Sequence, residues 1–430
     1  MKLLIRISPK VEGKKRNLFR FITCILLVYI ESTCAAGFTI EELLDQALSS
    51  YPTVLSGQAT KESAASEVIA SQLRFLPTPS ISTQQSSITY ANQSSEIRPT
   101  TNFSLTQPIY TGGALSAGLA KTTARLTASD FSLLEIREDI SRRLVSAYAD
   151  WLRAYLKIQA LEDSVQIHQK LVDLIVRRTD SGVSSFSDKD LGFSRLYQVK
   201  ADLDVQSSAE ASALATLSEL VGQQLVRNQL VGMVATAGKV TSKSDGLLKA
   251  LSISPKINRL IYEAQASEAE ADEISGQTMP QISLQAQRQV GNIYSPDYPS
   301  FNTFGVVVQY TPGAGISSIA LANAAKSRAR AALFQVDVAK RELSDRLSSE
   351  YNEYEYSLLK EENLSRSASL ADDIRASYDR QYLVGRKTWV EVMNAVRERT
   401  LSQIAIADTK ASILGASRRL EIYIEGTSKE

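Results

Sequence analysis

Two stretches of alternating apolar and polar residues, each running straight into a long helical pattern, organise the chain. In NFSLTQPIYTGGALS, Asn102 to Ser116, the residues Phe103, Leu105 and Ile109 fall on one face of a strand and Asn102, Ser104 and Thr106 on the other. Pro108 cannot donate to a sheet ladder and the pair Gly112 and Gly113 accepts a turn, so the strand is expected to stop here and a helix to open. The same event recurs in FNTFGVVVQYTPGAGIS, Phe301 to Ser317. There Phe304, Val306, Val308 and Tyr310 share a face, and Pro312, Gly313 and Gly315 make the turn. A duplicated strand-to-helix unit is therefore the plan of the protein.

Each unit has the same surroundings. Residues Thr39 to about Leu76 are helical in pattern, with Ile40, Leu43, Leu44, Ala47 and Leu48 spaced by three and four, and Pro77 and Pro79 end them. A polar strand from about Ser80 to Tyr90 and a loop near Asn92 to Pro99 complete a hairpin with the first stretch. From about Leu115 to Val176 no proline or glycine follows Gly118, and Ile140, Leu144, Tyr148, Trp151, Tyr155, Ile158, Leu161 and Val165 form one stripe. A helix of about sixty residues is roughly 90 Å long and needs partners as long as itself. RTDSGVSSFSD, Arg178 to Asp188, reverses the chain at Gly182, and a return helix runs to about Leu225. The second half repeats this order: a helix from about Leu247 to Ser275, the alternating QISLQAQRQ, a loop from Gly291 to Ser300, a helix from Ile316 to about Tyr382, and a reversal at Gly385 within YLVGRKTWVEVMNA, Tyr382 to Ala395. The expected organisation is a leader over 1–36, a first repeat over 37–230, an irregular belt over 231–246, a second repeat over 247–426 and a polar tail over 427–430.

Composition changes this picture at one end. Lys and Arg (48) balance Asp and Glu (47) over the 430 residues, so no basic footprint for nucleic acid exists. Seven of the basic side chains crowd the first twenty residues, ahead of the apolar run FITCILLVYI, Phe21 to Ile30. That run is too short to span a bilayer as a helix but suits the core of an export signal, with cleavage after Ala35 or Ala36. Removing 1–36 takes away seven basic and two acidic side chains and moves the formal charge from +1 to −4. Both cysteines, Cys24 and Cys34, leave with it, and no disulfide or thiolate metal site remains. Lipidation of Cys34 is the rival, weakened by Glu31, Ser32 and Thr33 before it.

Strands of about ten residues with one apolar face have the length and pattern of tilted strands in an outer-membrane barrel. Four of them cannot close, since about eight is the smallest filled barrel, and an open sheet in lipid leaves backbone groups unpaired. Several copies must share one barrel, which the long helices would continue as a tube.

On QPIYTGG at Gln107 to Gly113, the echo at Tyr310 to Gly315, the two reversals and their duplicated order, the chain resembles the TolC-like outer-membrane channel-tunnel family over essentially its whole mature length. The resemblance implies a mainly α fold in which each chain gives four strands to a trimeric, twelve-stranded outer-membrane barrel and long coiled helices to a tunnel in the periplasm. It implies a passive exit duct for drug efflux or type I protein secretion. The implied partners are two further copies, a periplasmic adaptor, an inner-membrane ABC or proton-driven transporter, and outer-membrane lipid. Carried onto this sequence, the periplasmic gate falls on Asp188, Tyr382, Lys387, Glu391 and Asn394, and adaptor docking on Gly182, Val183, Gly385 and Arg386. Lys387 stands where an arginine is usual and cannot make that residue's planar bidentate bonds. Asn394 removes one ring of carboxylates.

No enzyme is expected. Gly313 and Gly315 open a helix after a strand, but Ser318 stands where a dinucleotide fingerprint wants its third glycine. Ser357 and Lys360 form an SxxK pair inside a helical stripe, without an SDN or KTG partner. The single histidine, His168, lies mid-helix, so neither a metal site nor a cofactor is expected. A soluble periplasmic coiled-coil scaffold is the alternative from another class. It accounts for the helices and leaves the four strands unexplained.

Overall fold

The computed structural model describes residues 37–88, 96–230, 241–290, 300–311 and 317–426. The expected leader and tail, most of the two loops at the hairpin ends, and Pro312, Gly313 and Gly315 lie outside the described residues, while Glu96 to Pro99, expected in the first loop, are already strand.

The first half is built from α1 (Ile40–Ser50), α2 (Pro52–Leu73), β1 (Thr78–Ile88), β2 (Glu96–Tyr110), α3 (Ala114–Asp180) and α4 (Phe186–Val221). The second half follows the same order with α5 (Lys243–Ile253), α6 (Pro255–Gln277), β3 (Gln281–Val290), β4 (Phe301–Gln309), α7 (Ser317–Leu383) and α8 (Trp389–Glu425). Both long helices, α3 and α7, have 67 residues, about 100 Å at 1.5 Å per residue. No single helix covers either. Alongside α3 lie α2 and α6 towards the sheet and α4 towards the opposite end, while α8 packs on both α3 and α7.

Three further expectations need correction. The opening helix of each half is two helices: Tyr51 and Ser254 adopt non-helical backbone, and Pro52 and Pro255 stand at the first position of the next helix. Proline is tolerated there because that N–H has no partner inside the helix, so the chain bends without losing its helical pattern. The belt over 231–246 is shorter than expected, because α5 already starts at Lys243, capped by Ser242. Finally, Pro108 does not stop its strand. β2 runs on to Tyr110, absorbing the missing donor in a register shift between Pro108 and Tyr110 against β3.

Gly112 and Gly113 then make the turn, with φ of +62° and +87°. Gly112 is required twice over: a Cβ there would lie 2.4 Å from the Gly276 carbonyl oxygen and 2.5 Å from Met279 Cβ. Gln107 fastens the same corner, its amide donating to the Phe75 carbonyl at 2.9 Å.

The four strands form one antiparallel sheet in the order β1-β2-β3-β4. Register sets its two faces. Ile81 lies opposite Phe103, Leu105 opposite Ala286, Leu284 opposite Val306, and Ile282 opposite Val308. The other face carries Ser80, Ser104, Gln287 and Thr303. On the apolar face Phe304 is 80% exposed, Val306 63% and Val308 65%, with nothing of the same chain over them. The largest buried core instead lies where α1, α3 and α4 meet, around Leu43, Leu144, Trp151, Leu217 and Leu220.

Candidate functional site

At the end of the helices remote from the sheet, two reversals of identical construction lie side by side. Gly182 and Gly385 take φ of +75° and +77°. The amides following them, of Val183 and Arg386, donate back to the carbonyls of Arg178 (2.8 Å) and Gln381 (2.9 Å), which satisfies the orphan acceptors of α3 and α7. Three residues after each glycine a hydroxyl opens the next helix. Ser185 accepts from the Asp188 amide at 3.1 Å, and Thr388 accepts from the Glu391 amide at 3.4 Å. Added side chains at either glycine would meet nothing within 4 Å.

Beyond the backbone the two tips diverge. Phe186 and Trp389 follow the caps at equivalent positions, yet Phe186 is 72% exposed and Trp389 is buried. Trp389 packs into the space left by Gly192, where a Cβ would approach its ring to 3.3 Å, and lies 5.4 Å from the Tyr382 ring. The Arg178 guanidinium lies over Tyr382 at 4.9 Å from the ring centroid. Tyr382, Trp389, Val392, Met393 and Val396 close on Leu171 and Ile175, so the α7–α8 hairpin is fixed to α3 by a small apolar core at the tip.

Lys387 and Glu391 meet within one chain. Nζ donates to Oε1 at 2.7 Å and sits 4.3 Å from the centre of the Tyr378 ring. The other carboxylate oxygen of Glu391 accepts from the Thr388 amide at 2.8 Å and from its hydroxyl at 2.9 Å, completing a capping box. The Lys387 hydrogen bond and the Thr388 cap hold the Glu391 carboxyl down to about 2, and Glu391 holds the Lys387 ammonium above its usual value. Asp188 faces the same concavity of about 400 Å³ as Arg178, Tyr382, Gly385 and Lys387. Asn394 is exposed on α8, one turn beyond Glu391, and Val183 and Arg386 are exposed at the tips.

Thus the residues expected for a gate and for docking come from two hairpins and converge on one end. Sequence reasoning missed Arg178, Tyr378 and Trp389. The one available signal was the alignment of the two tips on their glycines, which sets Trp389 against Phe186.

Above the tip, polar links cross from the first hairpin to the second. Arg399 of α8 binds Asp372 of α7 and, at 2.7 Å, Asp163 of α3. Ser164 shares a 2.8 Å hydrogen bond with Thr400, and the His168 ring, 2% exposed, bonds through Nδ1 to the Ser164 carbonyl at 2.8 Å. His168 is thus a packed core histidine. Among the described residues no group of acidic, His or Cys side chains is arranged to hold a metal.

Residues 43–223 match the family model described as outer membrane efflux protein. The comparison with curated proteins gave no match. The fold matches the outer membrane protein VceC of Vibrio cholerae, with a TM-score of 0.79 at 17% identity over 91% of this chain and 97% of that one. It matches the outer-membrane channel OprN at 0.79 and 15%, over 91% and 93%. The Campylobacter jejuni outer membrane channel CmeC matches at 0.75 and 14%, over 90% and 85%. The chain thus resembles the TolC-like outer-membrane efflux family, in sequence over its first half and in fold almost throughout.

Proposed function

We propose that this chain is one subunit of a trimeric outer-membrane channel-tunnel, the passive exit duct of a tripartite efflux pump or a type I secretion system. The observation that carries this is the unclosed sheet, whose mainly apolar face leaves Phe304, Val306 and Val308 bare and whose four strands lead into 67-residue helices. Three such sheets joined edge to edge, β4 of one copy to β1 of the next, close a barrel of twelve strands with the apolar face towards lipid and the Ser, Thr and Gln face towards the lumen. The helices then carry the lumen through the periplasm to the tips.

At the tips, Asp188, Tyr382, Lys387, Glu391 and Asn394 form the gate, and Gly182, Val183, Gly385 and Arg386 the seat for a periplasmic adaptor that links the duct to an inner-membrane transporter. The tight pairing of Lys387 with Glu391 gives the gate a defined ground state: any bond from Lys387 to a neighbouring subunit competes with a charge-assisted bond already made. The soluble-scaffold alternative leaves the bare apolar face without a purpose. Cross-linking in detergent tests the assignment. A three-chain species with its strand signal is expected, whereas extraction as a monomer without detergent overturns it.

A further inference from the structure

The apolar face of the sheet carries a single charged side chain among its described residues, Arg288. Its place is complete within one chain, because β3 is an inner strand. Phe103 of β2 lies directly opposite on one side and Asn302 of β4 on the other. The next outward row towards the helices is wholly apolar, Leu105, Ala286 and Phe304, and below it come Leu284 and Val306, then Ile282 and Val308. Beyond it the same face carries Thr83, Thr101 and Val290, so Arg288 lies on the side of the wholly apolar row that is nearest the hairpin ends and farthest from the helices. It is exposed, and among the described residues no carboxylate pairs with it.

On a lipid-facing surface an unpaired guanidinium is costly in mid-bilayer and tolerable only at the interface, where it can meet an anion. Its planar fork matches phosphate oxygens in pairs, and the amide of Asn302 across the ladder offers a further donor in the same row. Phe103 beside it and Phe304 on the diagonal give acyl chains an apolar wall directly beneath that charge.

We propose that Arg288, with Asn302, is a lipid-binding site of the assembled barrel: it takes the phosphate of a phosphorylated lipid in the leaflet away from the helices, while the chains of that lipid lie on Phe103 and Phe304. The inference rests on the outer-membrane reading and adds a specific partner to it. Three equivalent sites, one per subunit, would surround the barrel and fix its height in the membrane.

The test is native mass spectrometry of the purified full-length assembly in nonionic detergent, titrated with bisphosphorylated lipid A and, separately, with the same lipid dephosphorylated. The wild-type assembly should take up to three copies of the phosphorylated lipid, with about tenfold preference over the dephosphorylated one. Arg288→Gln should remove that preference and Arg288→Lys should keep part of it. Asn302→Ala should weaken it, while Gln287→Ala on the opposite face should not. Should Arg288→Gln fail to assemble, the wild-type comparison still decides. Equal uptake of the two lipids by an intact, membrane-embedded assembly overturns the site and leaves the channel standing. A chain that extracts without detergent overturns both.

Discussion

Asp188 and Glu391 hold the same position in the two tips, third in a helix capped by a hydroxyl residue, but only Glu391 is neutralised by a partner. The Lys387 ammonium at 2.7 Å cancels the Glu391 charge, and among the described residues no lysine or arginine forms an ion pair with Asp188. With Asn394 neutral, the uncompensated carboxylate of each expected gate is Asp188. Asp188→Asn should therefore reduce cation preference and divalent block in planar bilayers more than Glu391→Gln does. Equal effects would show that the Lys387 pair opens in the assembled tip.

The sheet facing gives a second prediction. Val306→Arg places a charge on the bare apolar face at a cost of about 2 to 4 kcal/mol near mid-bilayer, whereas Thr303→Arg turns it to the polar face, where little is lost. Membrane levels of the assembled protein should fall for the first and hold for the second. The reverse order would mean that the polar face meets the lipid.

Much of this was legible because duplication tests itself: the hairpins, the two 67-residue helices and both tips repeat in order. Alternation alone revealed the facing of Val306. The breaks at Pro52 and Pro255 were hidden because apolar spacing continues through a proline that merely begins a new helix. The extension of β2 past Pro108 was hidden because a bulge depends on the partner strand. Arg178 over Tyr382 joins residues about two hundred positions apart, and no local pattern records such a contact.

A third prediction concerns docking. Gly182 and Gly385 face open space but hold positive φ, so any side chain costs on the order of 1 kcal/mol in backbone strain without a clash in the subunit. The double variant Gly182→Trp, Gly385→Trp should assemble normally and fail to export. Normal export would place the adaptor seat away from the tips.

Acid should loosen the hairpins. Burial pushes the His168 imidazole below its ordinary 6.5, helped by Arg195 of α4, while its bond to the Ser164 carbonyl opposes the shift. The other charges near this layer, Asp163, Asp372 and Arg399, are engaged with one another. Above pH 6.5 the ring is neutral in both folded and unfolded chains and contributes no pH dependence. As pH falls below 6.5 the unfolded chain takes the proton first, so stability is lost progressively. Glu391 acts in a separate window, its contribution disappearing only as pH falls from 4.5 towards about 2. Hydrogen-exchange protection at the α3–α8 contact, taken relative to the intrinsic rate at each pH, should fall between pH 7 and 5 in the wild type and stay level in His168→Gln.

The last prediction separates two ways in which the proposed gate would be kept shut. Lys387 acts by charge, and removing it in Lys387→Ala frees Glu391 without disturbing the buried rings, since its contacts are Glu391 and the face of Tyr378. Tyr382 acts by packing: it is 7% exposed, wedged between the Arg178 guanidinium and Trp389, and belongs to the core that fixes the α7–α8 hairpin to α3. Truncating a buried ring of this size costs about 3 to 5 kcal/mol, whereas Tyr382→Phe keeps the ring and its stacking. If packing holds the hairpin, single-channel conductance should rise sharply in Tyr382→Ala and little in Tyr382→Phe or Lys387→Ala, and large antibiotics should enter only cells carrying the first. If charge between subunits holds it, Lys387→Ala should open the tip by itself, and Tyr382→Phe should add to it by losing the hydroxyl. The single-chain geometry favours packing, because Lys387 already spends its charge on Glu391, four residues away on its own chain.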